Sequence, residues 1–140
     1  MSRILLVLRF LAILCWVFLT MLLLLPNPLA LFMGLPVEET PGQGYEHLIA
    51  FGGLACCVQL GLSRWERAIS DKALPLLFGR WIGMMAIYAL ATELLQILVP
   101  KRTFGWEDLL QNFLGILAGT AVAGGLILIA RHTVWKSPQS

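Results

Sequence analysis

The chain has 140 residues, of which 59% are hydrophobic and 13% are charged, with a mean hydropathy of +0.82 and a formal net charge of +2. A water-soluble domain of this length carries roughly twice that charged fraction, so the composition excludes an ordinary soluble protein. The small net charge and the lack of a basic stripe exclude nucleic acid as a partner. The length allows a single domain, and we predict one membrane domain over residues 1–140.

Four apolar segments account for most of the chain, at about 4–25, 47–62, 74–99 and 109–130. A helix needs on the order of 20 apolar residues to cross a bilayer, so three segments are long enough and the second is short. The segments are continuously apolar rather than alternating, which is typical of helices. The sequence therefore predicts an all-α fold, a polytopic bundle of about four transmembrane helices. The first segment is too long for a signal-peptide core and is predicted to be an uncleaved anchor.

The distribution of Lys and Arg predicts the orientation of these helices. Of the ten basic residues, eight lie at or near the amino end, the middle connection or the carboxyl end, whereas the connection 26–46 contains none. The positive-inside rule makes the basic side cytoplasmic. Both termini are then expected in the cytoplasm, with the connections 26–46 and 100–108 facing outward.

The third segment carries an ionisable residue well inside its apolar run. Glu93 lies about six residues before the predicted outer end, where a charged side chain costs a few kcal/mol unless it faces a partner or a cavity. Gln96 and Pro100 follow at +3 and +7, which places all three residues on one face of the helix. The outer half of this helix is therefore predicted to present a polar stripe.

The fourth segment presents a similar face. Asp108, Asn112, Gly115 and Gly119 are spaced by four, three and four residues and share one side of a helix. The helix dipole favours Asp108 near the amino end. The two glycines form a GxxxG motif, which allows another helix to approach closely. We interpret Gly115 and Gly119 as helix-packing residues.

Two further residues are predicted at the same outer level. Arg102 lies in the connection between the third and fourth segments, and its guanidinium can bind a carboxylate or a phosphate through two hydrogen bonds. His47 begins the second segment and can exchange protons near neutral pH. Structural explanations stay open: a salt bridge between Glu93 and Arg102, or headgroup anchoring by Lys101 and Arg102.

Together these residues predict a site near the outer face, with His47, Glu93 and Asp108 as catalytic candidates and Gln96, Arg102 and Asn112 as binding residues. The three cysteines, Cys15, Cys56 and Cys57, lie within apolar segments and are interpreted as small buried hydrophobic residues. The sequence contains no spacing of metal ligands or cofactor motif, so we predict no metal and no cofactor.

The outer motifs resemble those of the VanZ-like family of small bacterial membrane proteins. The family pattern is E-x-x-Q, then P and R, then D-x-x-x-N-x-x-G-x-x-x-G, and this chain matches every position over residues 93–119. Many members also carry Asp-Lys shortly before the histidine, where this chain has Gln43 and Gly44. The resemblance implies a protein of the bacterial cytoplasmic (inner) membrane with a link to teicoplanin resistance, and it implies no defined reaction.

Three functions remain open from the sequence. The first is a cell-envelope protein whose outward polar pocket binds an anionic lipid or a lipid-linked envelope intermediate and affects glycopeptide susceptibility. The second is a membrane-embedded enzyme that performs acid/base chemistry on a lipid-linked phosphate or glycosyl substrate. The third is a structural or assembly subunit that docks another membrane subunit through Gly115 and Gly119.

Overall fold

The structure is a computed structural model, and it describes residues 3–24, 45–62, 73–99 and 104–135. Within these ranges the chain forms four helices and no strand, which confirms the predicted all-α class. The helices are α1 (Arg3–Leu24), α2 (Glu46–Gly61), α3 (Ala73–Gln96) and α4 (Trp106–Trp135).

Three of the helices, α1, α3 and α4, are long and apolar enough to cross a membrane. The 16 residues of α2 extend over about 24 Å, somewhat less than the hydrocarbon thickness of a typical bilayer. Large apolar side chains cover the outside of the bundle, such as Leu76, which is 78% exposed, and Leu98, which is 79% exposed. Such an outer surface fits lipid rather than water. The side of the membrane on which the termini lie stays a prediction.

The observed ends of two helices differ from the predicted ones. α3 ends at Gln96, and the backbone of residues 97–99 forms hydrogen bonds between residues three apart, as in a 3₁₀ turn. Pro100 explains this end, because a proline disfavours helical backbone at the residue before it. α4 extends beyond the apolar segment at both ends, since polar residues outside the hydrocarbon can continue a helix whose middle is apolar.

α2 lies at the centre of the bundle. It packs most extensively against α4, and it also contacts α1 and α3. The core consists of side chains from α2, α3 and α4 that are almost completely buried, with one from the second half of α1: Leu19, Phe51, Leu54, Ala55, Val58, Met85, Ala89 and Ile116. α2 is the shortest helix, and its central position makes it the one most enclosed by the others.

Glycines bring α2 and α4 into backbone contact. A Cβ atom added at Gly115 would lie 2.5 Å from the carbonyl oxygen of Leu48 and 2.9 Å from the backbone nitrogen of Gly52. A Cβ atom at Gly119 would collide with the carbonyl oxygen of Gly52. The GxxxG motif is thus covered by a helix of the same chain. This contact removes the basis for the expectation that the two glycines dock another subunit.

α1 is joined to the bundle at two levels. Near its start, Arg9 Nε donates a hydrogen bond to the carbonyl oxygen of Gly61 at the end of α2, at 3.2 Å. A cation at that position also interacts favourably with the helix dipole. Nearer its end, Thr20 Oγ1 lies 2.7 Å from the hydroxyl of Tyr88 in α3. α1 and α3 therefore run in the same direction, opposite to α2.

Candidate functional site

Three polar side chains from three helices meet at one end of the bundle, and we call them the polar triad: His47 of α2, Glu93 of α3 and Asn112 of α4. Asn112 Nδ2 donates a hydrogen bond to Glu93 Oε1 at 3.1 Å. Asn112 Oδ1 lies 3.0 Å from His47 Nδ1, and the same nitrogen lies 3.6 Å from Glu93 Oε1. The triad therefore joins the start of α2, the end of α3 and the start of α4.

The local position of each residue follows from its helix. His47 is in the first turn of α2, Glu93 is in the last turn of α3, and Asn112 is in the second turn of α4. Gly115 lies one turn beyond Asn112, and its contact with α2 holds the two helices close enough for His47 to reach the Asn112 amide. The GxxxG motif thus contributes to the site by setting the distance between helices.

The three members of the triad differ in exposure. The side chain of Glu93 and the whole of Asn112 are 0% exposed, whereas the His47 side chain is 13% exposed. A buried polar or ionisable group in a membrane bundle must find partners within the protein or line a cavity. Glu93 and Asn112 satisfy part of this requirement through each other, and His47 forms the edge of the triad.

Two buried polar atoms beside the triad have no hydrogen-bond partner among the described residues. They are Glu93 Oε2 and Gln96 Nε2, and Gln96 is 1% exposed. Gln96 follows Glu93 by one turn on the same face of α3. Buried polar atoms without partners are uncommon in folded proteins and are often explained by a bound molecule or by water. The buried acceptor and the buried donor are therefore one helical turn apart on α3, and the backbone of Gly105 lies near the Glu93 carboxyl group.

The start of α4 forms the border of the site. Asp108 is half-buried, and its carboxylate folds back toward the backbone, where a Cβ atom at Gly105 would lie 2.6 Å from Asp108 Oδ2. The Asp108 carboxylate is also close enough to Glu93 to interact with it electrostatically. The amino end of a helix favours such a negative charge. Asp108 is therefore placed beside the triad rather than within it.

The structure brings together four of the six residues that the sequence singled out for catalysis or binding, with Asp108 adjacent to them. His47, Glu93 and Asn112 are in contact, and Gln96 is one helical turn away. Arg102 lies in residues 100–103, outside the described part of the chain. The proposed contact between Glu93 and Arg102 therefore stays a prediction.

The sequence did not reveal the bridging role of the Asn112 amide, nor a second polar contact deeper in the bundle. There, Gln59 Nε2 lies 3.4 Å from both Thr120 Oγ1 and the carbonyl oxygen of Phe78. Gln59 is completely buried, and its isolated position in the apolar run of α2 is the only signal that could have indicated it. Because its partners come from α3 and α4, we interpret this contact as structural.

The cysteines are free and half-buried in the structure. Their positions in α1 and α2 are separate from the polar triad, since they lie within the apolar parts of both helices. We therefore interpret the cysteines as packing residues that take no part in the chemistry of the polar triad.

Comparison with known proteins gives one result. The family model described as VanZ/LLP1 matches residues 5–130, which is nearly the whole chain. No curated protein and no solved structure gives a significant match. The match includes α1 from residue 5, all of α2 and α3, and α4 up to residue 130, and it includes every residue of the polar triad. The chain belongs to the VanZ/LLP1 family and is a VanZ-like membrane protein.

Proposed function

We propose that the chain is a cell-envelope protein of the bacterial inner membrane whose polar end binds the anionic headgroup of a lipid or of a lipid-linked envelope intermediate. In this proposal all four helices cross the membrane, both termini are cytoplasmic, and the triad opens outward. The three long apolar helices and the family membership support the membrane setting. The positions of the polar residues support the binding site.

The observation that carries the proposal is that Glu93 Oε2 and Gln96 Nε2, which are among the buried side-chain atoms for which the described residues provide no hydrogen-bond partner, both lie at the polar triad. Desolvating such atoms costs about 1–3 kcal/mol each, so a chain that keeps both in a membrane bundle needs a compensating partner. A polar headgroup that enters between α3 and α4 supplies one. Gln96 then donates to a headgroup oxygen, while Glu93 accepts from a hydroxyl group.

Arg102 supplies the positive charge in this proposal. It lies in the connection that links α3 to α4, so the sequence places it at the same end of the bundle as the triad. A guanidinium is well suited to phosphate, because its fixed donors match two phosphate oxygens. Glu93 and Asp108 would hold Arg102 in position, and Arg102 would balance part of the charge of these acids.

The experiment measures lipid retention by the purified protein in nanodiscs. Native mass spectrometry compares the retention of phosphatidylglycerol with that of phosphatidylcholine. We expect the wild type to retain phosphatidylglycerol preferentially. Gln96→Leu removes one hydrogen bond to a charged group at nearly constant volume, so the expected loss of affinity is about 10- to 100-fold.

The matched control uses the two adjacent basic residues. Arg102→Ala and Lys101→Ala change the net charge equally, but only Arg102 is proposed to bind the phosphate. We expect Arg102→Ala to abolish the preference for phosphatidylglycerol and Lys101→Ala to preserve most of it. An equal loss in both variants would indicate general attraction of the basic connection to anionic lipid, and the proposed pocket would be rejected.

A consequence for the cell envelope follows from the proposal. If the bound molecule is a lipid-linked envelope intermediate, the wild-type chain should lower the susceptibility of a bacterial host to teicoplanin, and Gln96→Leu should not. The measurement is the inhibitory concentration in matched strains with equal amounts of membrane-inserted protein. Equal susceptibility in strains with and without the wild-type chain would contradict this part of the proposal.

The polar triad also favours a second candidate function, an enzyme that acts on a lipid-linked phosphate or glycosyl substrate. The specific observation is the proximity of His47 Nδ1 to Glu93 Oε1, because a carboxylate beside an imidazole can support general acid/base chemistry. The test is turnover of labelled lipid-linked precursors by the wild type and by Glu93→Gln. If Glu93→Gln loses turnover but still retains lipid, the result would favour an enzyme over a binding protein.

A further inference from the structure

We infer that Asn112 holds the proton of the neutral His47 imidazole on Nδ1 and so leaves Nε2 as the atom through which the site meets its ligand. The assignment of the proton follows from the contacts of the polar triad alone. The role of Nε2 toward a ligand deepens the proposed function and rests on it.

The contacts of Asn112 define the orientation of its amide group. Its Nδ2 group lies 3.1 Å from Glu93 Oε1. In this contact the amide nitrogen is the donor and the carboxyl oxygen is the acceptor, so the NH₂ group faces Glu93. The amide oxygen Oδ1 therefore faces His47, as the 3.0 Å contact with Nδ1 shows.

The amide orientation in turn determines which nitrogen of the His47 imidazole carries the proton. An amide oxygen is an acceptor, so the His47 nitrogen that faces it must carry a hydrogen. The next polar atom to Nδ1 is Glu93 Oε1 at 3.6 Å, which is also an acceptor. Both neighbours of Nδ1 thus favour the protonated nitrogen. The hydrogen bond made by one ring nitrogen fixes the state of the other, so Nε2 of the neutral ring carries a free lone pair.

His47 is the most accessible member of the polar triad. Glu93 and Asn112 are completely enclosed, whereas 13% of the His47 side chain is exposed, and Nε2 makes no hydrogen bond within the described residues. The imidazole therefore connects the buried acid to the edge of the site. Nε2 can accept a hydrogen bond from a headgroup hydroxyl. After it takes up a proton, it can donate to a phosphate oxygen while Nδ1–H keeps its bond to Asn112.

The test is the ¹⁵N NMR spectrum of the imidazole. The chain has two histidines, so His132→Asn gives a protein in which His47 is the only one. This protein is labelled at histidine nitrogen and studied in phosphatidylcholine nanodiscs at about pH 9, well above the range in which imidazole ordinarily titrates. We expect Nδ1 to give the signal of a protonated nitrogen and Nε2 that of a bare one. A bare Nδ1, or a ring protonated on both nitrogens, would overturn the inference.

Two variants separate the role of the amide from a loss of structure. Asn112→Leu removes the amide at similar volume and leaves Glu93 Oε1, at 3.6 Å, as the remaining acceptor near Nδ1, so the share of rings with the proton on Nε2 should rise. Glu93→Gln allows either amide orientation and should populate both forms of the ring. Helical circular dichroism checks that each variant is folded. An unchanged proton position in both folded variants would contradict the role assigned to Asn112.

The ligand step uses phosphatidylglycerol as the probe. Adding it to the nanodiscs should shift the Nε2 signal and leave Nδ1 in its protonated state. If Nδ1 is protonated but Nε2 does not respond to phosphatidylglycerol, the proton assignment stands and the proposed binding of anionic lipid fails. If Nδ1 is bare, the inference fails, whatever the lipid does.

Discussion

The contact between α2 and α4 can be tested by adding one methyl group. In Gly115→Ala the new Cβ would lie 2.5 Å from the carbonyl oxygen of Leu48, whereas ordinary contact begins near 3.4 Å. The obstructing atom belongs to the backbone, so α2 must move by about 0.9 Å, the difference between these distances. A gap of that size removes a quarter to a half of the dispersion energy across the surfaces that it separates.

The expected cost follows from two opposing effects. Overpacking of a tight contact destabilises a protein by about 1–3 kcal/mol, and the better helix propensity of alanine offsets up to about 1 kcal/mol. We therefore expect Gly115→Ala to lower the free energy of unfolding by about 1–2 kcal/mol. Gly125, on the same helix, has no atom within 4 Å of an added Cβ. Gly125→Ala should change the stability only through propensity, by about 0–1 kcal/mol in the stabilising direction.

The assay is reversible unfolding in mixed micelles, with increasing sodium dodecyl sulfate and circular dichroism as the signal. The two variants are expected to differ by about 2 kcal/mol, or about 30-fold in the unfolding equilibrium constant. A second readout is the His47 spectrum, because movement of α2 lengthens the 3.0 Å contact with Asn112. Equal stabilities of Gly115→Ala and Gly125→Ala would refute the close α2–α4 contact.

Three further predictions concern the rest of the bundle. Gly61→Ala should destabilise the packing of α1 on α2 by about 1–3 kcal/mol in the same assay, because its Cβ would lie 2.6 Å from a backbone oxygen of α1. The control Gly53→Ala should not destabilise the protein, because the space around Gly53 is open. Tyr88→Phe removes the hydrogen bond to Thr20 but keeps the ring, so we expect a loss of about 0.5–1.5 kcal/mol, compared with no loss for the exposed Tyr45→Phe. Reporter domains fused to either terminus should both be found in the cytoplasm, and a reporter outside at one terminus would contradict the four-span arrangement.

The sequence was sufficient for the class of the fold and for the approximate extent of each helix. Length and hydropathy define a membrane helix almost independently of its neighbours, because a backbone in lipid must satisfy its own hydrogen bonds. The predicted helix ends differ from the observed ones at Gln96 and Trp106, since helix ends depend on local backbone chemistry as well as on apolar composition. Helical spacing also predicted that Glu93 and Gln96 share a face.

The pairing of side chains was decided only by the tertiary structure. Spacing places Asn112 on a face of α4, but it does not give the rotation of α4 about its axis or its depth relative to α2. Backbone contact at Gly115 and Gly119 sets both, and it brings Asn112 between His47 and Glu93. Periodicity describes one helix at a time, whereas a hydrogen bond between helices depends on the relative position of two.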